Sequence, residues 1–287
     1  MSTDENQPVQ RSGSILLAAT PIGDTDDASP RLIHALAEAD LVAAEDTRRL
    51  LKLASRLGIR INGEIKSFHE HNERDRVEEL LHRAEDGERV LVVSDAGMPT
   101  ISDPGYRVVS EAAKRGVPVS ALPGPSAVLT ALSVSGLPTD RFCFEGFINR
   151  KEGDRRRHLE ELKEERRTMV FFESAKRIHE SLTDMANIFG GGRQAVLCRE
   201  LTKTHEEIIR GDLNHLIYET RDGVLGELTL VVAGADPSEK NAEDYVARVL
   251  QLANDGMKLK EAAKLVSEET GIRKNELYRA AIARKPE

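Results

Sequence analysis

Several acids and small-residue loops in this sequence fall where short apolar runs end. Glu45 and Asp46 stand just ahead of Arg48; a carboxylate there can accept a hydroxyl proton or fix a sugar, and the guanidinium can hold a phosphate. The same acids also suit a helix N-terminus, where the dipole favours negative charge, so both readings stay open. Asp95 lies in Ser94-Asp95-Ala96-Gly97-Met98-Pro99, a turn that runs on into Ile101-Ser102-Asp103-Pro104-Gly105. Asp95 can meet an ammonium or cap its own turn. Glu173, Ser174 and Arg177, with Arg199, Glu200 and Lys203, form a polar counterpart in the second half, and Arg199-Glu200 can equally be an ion pair that orders a loop. His69 and His71 flank Glu70, but neighbours on an extended segment alternate faces, which favours a cleft-edge or capping role over a metal. Residues 150–157 carry five basic and two acidic side chains, a local surplus on a chain of net charge -8. That surplus reads as a local clamp for nucleic-acid phosphates, made of Arg150, Lys151, Arg155, Arg156 and Arg157. Residues 255–287, with eight basic and six acidic side chains, carry a weaker signal.

These residues need elements to hold them. Apolar runs alternate with helix-period segments from Ser14 onward. Strands are expected at Ile15–Ala19, Leu41–Ala44, Val90–Val93 and Val117–Leu122. Helices are expected from Pro30 to Ala39, from Arg48 to Leu57, after an Asn72 cap, and from Tyr106 to Arg115. Fully apolar strands in βαβα order imply a mainly parallel sheet covered by helices. A hinge is expected at Pro123-Gly124-Pro125. Further strands near Phe142–Phe144, Met169–Phe172, Ala195–Cys198, Glu207–Arg210 and Leu228–Ala233 then suggest a second α/β domain. Two helical patterns separated by Gly271 follow a linker at Asp236-Pro237-Ser238. The expected division is a disordered tail over 1–13, α/β domains over 14–123 and 124–236, and a helix-turn-helix-like appendix over 237–287. A length of 287 residues agrees with about two domains and an appendix.

Composition excludes several classes. Two cysteines, Cys143 and Cys198, rule out a disulfide framework and a cysteine-rich zinc site, and point to a reducing, cytoplasmic setting. Residues 116–139 are uncharged over 24 positions but hold four prolines, so no continuous membrane helix can form. The polar opening residues do not read as a signal peptide. Open parallel sheets bind ligands at the carboxyl ends of their strands. Four turns could serve there: Thr20-Pro21-Ile22-Gly23-Asp24, the Ser94–Gly105 turn, Pro123-Gly124-Pro125-Ser126-Ala127, and Gly226-Glu227-Leu228-Thr229. None is a dinucleotide fingerprint or a Walker A sequence, so nucleotide hydrolysis and nicotinamide chemistry lose support.

The strings ATPIGD (19–24), AAEDTRR (43–49), SDAGMPTISDPG (94–105), LPGPSA (122–127), FFESAKRI (171–178), CRELTKTHEE (198–207) and GELTLVV (226–232) together resemble one family. It is the ribosomal RNA small subunit methyltransferase I family of the tetrapyrrole-methylase superfamily, and the resemblance runs over residues 14–287. It implies two α/β domains of the tetrapyrrole-methylase type with a cofactor cleft between them, plus a small C-terminal helical module. It also implies 2'-O-methylation of a cytidine ribose in 16S ribosomal RNA within the small subunit, by a homodimer using S-adenosylmethionine. Carried over by motif, the cofactor would rest on Pro21, on Asp95, Ala96, Gly97 and Ile101, and on Ser126 and Ala127. Phe144, Glu145, Gly146, Leu201, Gly226, Glu227, Leu228 and Thr229 would line its adenosine side. Glu45, Asp46 and Arg48 are the candidate catalytic cluster, and no metal is expected. Two alternatives remain: a superfamily relative acting on a small substrate, and a non-catalytic RNA-binding assembly factor. The basic segment disfavours the first, and the intact cofactor loops disfavour the second. An acidic chain acting on RNA is also expected to prefer assembled subunits to naked transcript.

Overall fold

The computed structural model describes residues 13–236 and 242–284. Residues 1–12 of the expected tail, and Pro237 and Ser238 of the expected linker, lie outside the described residues. The first sheet contains β1 (Ser14–Ala18), β2 (Leu41–Ala44), β3 (Glu64–Ser67), β4 (Arg89–Val93) and β5 (Val119–Leu122) in the order β3-β2-β4-β1-β5. Every pairing in it is parallel. Its central strands are apolar along their whole length because both faces are covered. Val90, Leu91, Val92 and Val93 are all buried, as are Leu41, Val42, Ala43 and Ala44. Register brings Ala18 beside both Val93 and Leu122, and Val93 beside Ala44, so the carboxyl ends of four strands share one edge.

The crossovers are α1 (Pro30–Glu38), α2 (Thr47–Arg56), α3 (Glu73–Glu85) and α4 (Tyr106–Arg115). Local chemistry sets their starts. Ser29 accepts a bond from the Leu32 amide at 3.1 Å while Pro30 fills the first helical position. Asp46 accepts from the amides of Arg48 and Arg49, so it caps α2. Asn72 precedes α3 without capping it, contrary to expectation. Its Oδ1 accepts from the His69 amide at 2.8 Å and its Nδ2 donates to the Ser67 carbonyl, bracing the strand-to-helix turn instead.

The second sheet is mixed, in the order β6 (Phe142–Phe147), β7 (Thr168–Ser174), β10 (Glu227–Val232), β8 (Gln194–Arg199), β9 (Glu207–Asp212). Only β6 and β7 run parallel; the remaining pairs are antiparallel. Four helices accompany it: α5 (Ala127–Ser135), α6 (Glu152–Glu161), α7 (Ile178–Phe189) and α8 (Leu213–Thr220). The expected hinge is therefore followed at once by a short helix, capped by Ser126 and ended at Gly136. The chain continues through α9 (Val246–Asn254), α10 (Leu259–Thr270) and α11 (Lys274–Arg284). Among the described residues, this module has three helices where two were expected. Val246 and Val249 supply the extra one, and all three share a core with Ala262, Val266, Leu277 and Ala281.

One further cluster ties the two sheets together. Ile22, from the turn after β1, packs with Val128, Leu132, Val170, Val196, Leu201 and Val231, all from the chain beyond Pro125. This contact fixes the carboxyl edge of the first sheet against the second half.

Candidate functional site

In the order β3-β2-β4-β1-β5, the chain leaves β1 toward β2 on one side and leaves β4 toward β5 on the other. Adjacent strands whose connections diverge in this way open a crevice at their carboxyl ends. Two candidate loops meet there. Thr20 donates to the Gly97 carbonyl at 2.9 Å and accepts from the Gly97 amide at 3.0 Å. Gly97 has φ +80°, and a β-carbon on it would lie 3.5 Å from Ile22 and 3.7 Å from the Pro125 carbonyl, so three loops converge on this glycine. Gly124 permits the approach of the third loop, because a β-carbon there would come within 2.9 Å of that of Ala19.

The second half closes the crevice. The Asp24 amide donates to the Thr202 hydroxyl at 3.1 Å, and Lys203 bridges Glu200 and Glu227 at 2.8 and 2.9 Å. The residues assigned to the adenosine side gather here. Leu201 is buried in the shared apolar cluster, against which Ala96, Ala127 and Phe144 also pack. Leu228 and Thr229 are buried within β10, while Gly226 and Glu227 stay exposed at its start. Phe144 meets Phe172 edge-on at 4.9 Å, and Glu145 lies 3.4 Å from His158. Gly146 follows the β6 bulge at φ +72°. Ile101 is 44% exposed and is not among the residues that wall the hollow beside these loops.

A hollow of about 380 Å³ opens beside these loops, walled by Pro21, Asp95 and Ala96 on one side and by Arg49, Lys52 and Arg56 of α2 on another. Its acids are interlocked. The Asp46 amide donates to Asp95 Oδ1 at 3.0 Å, and the Asp95 amide donates to Glu45 Oε2 at 3.1 Å. Asp95 Oδ2 faces Arg49 at 3.3 Å. Burial raises the Asp95 carboxyl above its ordinary value, against the pull of Arg49. Burial likewise raises Glu45, despite the hydrogen bond from the Asp95 amide.

Asp46 behaves differently. Its oxygens hold the Arg48 side chain and cap α2, and these bonds bring its carboxyl down to about 2. So weak a base is poorly suited to take a proton from a hydroxyl at neutral pH. Arg48 is 90% exposed and tied to Asp46, outside the acid crevice.

A residue not picked out from the sequence completes the cluster. Asp103 is partly buried within hydrogen-bonding reach of the Ser94 hydroxyl. Burial, then the charges of Glu45 and Asp95, push its carboxyl up to about 7. The SDAGMPTISDPG string contained it, but no local pattern marked it. Its loop is held rather than loose, since buried Glu73 accepts the Gly105 amide at 2.9 Å and also the Arg107 amide. Among the described residues, positive φ at a non-glycine occurs at Thr100, Ser102, Glu200 and Thr202, and all four flank this crevice. Backbone held in that region is strained and persists where its surroundings impose it.

Other expected site residues serve structure. Glu173 is buried, accepts from the Ser181 hydroxyl at 2.6 Å and pairs with Arg177, so it orders the start of α7. Arg199 pairs with Glu207 at 3.1 Å rather than with Glu200. Among the described residues, no group of three metal-ligating side chains gathers, at His69 and His71 or elsewhere.

The basic run needs a correction. Arg155 is 1% exposed, and its guanidinium bonds Asp184 at 2.8 Å and Glu180 at 2.7 Å, so it stitches α6 to α7 and faces no ligand. Arg156 and Arg157 pair with Glu152 and Asp154 on their own helix. Among the described residues, only Arg150 and Lys151 of the five are exposed without an ion pair. Arg150 joins Phe147 and Lys176 around a second hollow, at the carboxyl ends of β6 and β7. Since Ser174 pairs with Glu227, that hollow lies along the same edge of the second sheet as the crevice.

Comparison with known proteins agrees with this architecture. Residues 14–217 match the family described as Tetrapyrrole (Corrin/Porphyrin) Methylases, and residues 239–285 match the RsmI C-terminal HTH domain. The chain is 52% identical over 272 residues to Ribosomal RNA small subunit methyltransferase I of Mycobacterium tuberculosis (strain CDC 1551 / Oshkosh), covering 94% of this chain and 95% of the relative. It is 41% identical to the protein of the same name from Escherichia coli O157:H7, covering 94% and 95%. Uroporphyrin-III C-methyl transferase from Thermus thermophilus, solved as a complex with S-adenyl homocysteine, shares the fold with a TM-score of 0.54 at 20% identity, covering 77% of this chain and 97% of that one. By its near-full-length relatives, its methylase fold and its C-terminal module, the chain belongs to the ribosomal RNA small subunit methyltransferase I family of tetrapyrrole methylases.

Proposed function

We propose that this protein transfers a methyl group from S-adenosylmethionine to the ribose 2'-hydroxyl of one cytidine in the 16S RNA of the small ribosomal subunit. The observation that carries the reading is the convergence of three strand-to-helix loops on Gly97, beside an acid cluster in which the Asp103 carboxyl is pushed up to about 7. When bound, the cofactor supplies a methyl group activated on a sulfonium. Pro21, Ala96, Ala127, Phe144 and Leu201 would hold its apolar parts. Asp95, whose outer oxygen faces Arg49, offers the anion for its ammonium.

Attack by a hydroxyl releases a proton, and a base near neutrality removes it with least loss. Asp103 fits that task in place of Asp46. Glu45, fixed by the Asp95 amide, keeps negative charge beside Asp103 and so holds its basicity high. The loop contacts across Thr20–Gly97 and Asp24–Thr202 hold the reacting groups in place, which is where most of the rate gain of such a displacement originates. Arg150 and Lys151 are the members of the 150–157 run that we retain as RNA contacts. We place the protein in the cytoplasm, with its ribosomal substrate, as a homodimer.

The test follows labelled methyl from S-adenosylmethionine into small subunits that lack 2'-O-methylation, with mapping of the modified nucleotide. A single methylated cytidine ribose is the expected product. Transfer to a base, or to a tetrapyrrole but not to RNA, defeats the proposal. Cofactor binding with no transfer to any RNA would favour the assembly-factor reading.

A further inference from the structure

We propose that the exposed face of α2, carried by Arg49, Lys52 and Arg56, binds the phosphodiester backbone of the RNA beside the target nucleotide. The inference rests on the RNA substrate argued above and locates where that RNA lies. The helix reads Thr-Arg-Arg-Leu-Leu-Lys-Leu-Ala-Ser-Arg, with four basic and no acidic residues on a chain of net charge -8. Spacings of three and four residues bring Arg49, Lys52 and Arg56 onto one side of the helix. They span about 10 Å along its axis. All three wall the hollow that also holds Asp95 and Lys203, so this basic face leads to the mouth of the crevice.

Its charge is available. Arg49 faces Asp95, but Lys52 and Arg56 are exposed and make no ion pair among the described residues. The acids sharing the wall already carry cations: Asp46 holds Arg48, Asp95 faces Arg49, and Glu227 holds Lys203. The Thr25–Asp27 turn adds Asp26 and Asp27 nearby, which leaves a basic strip bordered by acids rather than a broad positive surface. Such a strip suits one strand led along a defined path, because each phosphate gains only where a cation waits. The α6 run offers the opposite picture, with Arg155, Arg156 and Arg157 neutralised by partners on α6 and α7.

The test compares the wild-type chain with the Lys52→Ala/Arg56→Ala double variant. Its readouts are methyl transfer to small subunits, S-adenosylhomocysteine binding by calorimetry, and affinity for 16S RNA by filter binding over a salt series. Both replaced side chains are exposed and alanine favours helix, so the variant keeps its fold, which circular dichroism checks. The expected result is a KM for subunits raised about tenfold or more, with kcat and cofactor affinity within about twofold. The logarithmic salt slope of RNA binding falls by about 1.5, the release expected for two lost phosphate contacts. An unchanged KM together with an unchanged salt slope overturns the proposal. If the wild-type protein transfers no methyl to any RNA, the methyltransferase reading fails alone. Filter binding then decides the basic face, because equal affinity of variant and wild type refutes it.

Discussion

Asp103→Asn separates stability from chemistry at one carboxyl. In the folded protein this acid titrates at about 7 against an ordinary 3.8, because burial and the charges of Glu45 and Asp95 oppose its ionisation. Folding therefore favours the protonated form. The resulting stability is complete below about pH 4 and is lost as pH rises through 7. The full difference corresponds to an upper bound of about 4 kcal/mol, and contact with solvent screens it to about 1–2 kcal/mol. Asparagine keeps the shape and a hydrogen bond to Ser94 but carries no charge. At pH 8 the variant should melt about 2–6 °C above wild type, with the difference shrinking to almost nothing by about pH 4. Methyl transfer at saturating cofactor should move the other way, falling at least about a hundredfold. Wild-type kcat/KM for the cofactor, which reports the free enzyme, should rise through pH 7 with the slope of one proton, and the variant should lack that step. Scanning calorimetry at two pH values and transfer at limiting cofactor over pH 5.5–9 read both effects. A variant with wild-type rate and the same pH step refutes Asp103 as the proton acceptor. A variant no more stable at pH 8 refutes the account of its burial.

Three further outcomes follow from the same geometry. Gly124→Ala places a methyl against Ala19, forces the third loop away from the first and should weaken S-adenosylhomocysteine binding about tenfold in calorimetry, with the melting temperature lowered by only a few degrees. Wild-type affinity in that variant contradicts the loop convergence. Arg155→Ala leaves buried Asp184 without its main cation and should cost on the order of 3 kcal/mol in denaturant unfolding, while the folded enzyme binds RNA normally. A loss of RNA affinity with stability intact restores it as a phosphate contact. Assembled small subunits should be methylated at least about tenfold more efficiently than protein-free transcript, because an acidic surface repels unstructured RNA and the subunit has already ordered its strand. Equal kcat/KM on both substrates contradicts this.

The parallel sheet was legible because its strands are covered on both faces: blocks such as Val90–Val93 admit no exposed side and read as buried strands without tertiary information. The Gly and Pro loops were legible for the same reason, since only their chemistry permits the close turns at Gly97 and Gly124. The helix at Ala127–Ser135 was not, because its apolar residues run around much of its circumference and prolines flank it, which hides the helical period. Counting charges misjudged 150–157, because the partners of Arg155 sit 25 and 29 residues away on another helix. The lowering of Asp46 and the raising of Asp103 were hidden in the sequence for one reason. A carboxyl's basicity depends on what the fold packs around it, and the sequence shows only that an acid is present.

The acid crevice also implies a link between protons and ligand. Glu45, Asp95 and Asp103 are all raised, chiefly by burial, and Arg49 is the cation that faces the first two. A crevice in this condition is short of positive charge, and S-adenosylmethionine brings a sulfonium and an ammonium. A cation placed there stabilises the ionised carboxylates and lowers their pKa values, so binding must release protons at pH values where Asp103 is still protonated. Binding should tighten as pH rises from about 5.5 to 7 and level off above 7. That window lies below the ordinary range of an amino group, about 7.7–8.0, so the ligand's own titration contributes little within it. S-Adenosylhomocysteine, which lacks the sulfonium charge, should release fewer protons under the same conditions. Calorimetry at pH 6.5 in buffers of different ionisation enthalpy measures the count directly. No proton release in the wild-type protein, or equal release in Asp103→Asn, contradicts the coupling. If the coupling holds, cofactor binding completes the ionisation of Asp103 below pH 7, so the base is competent over a wider pH range in the complex that carries a methyl group to transfer.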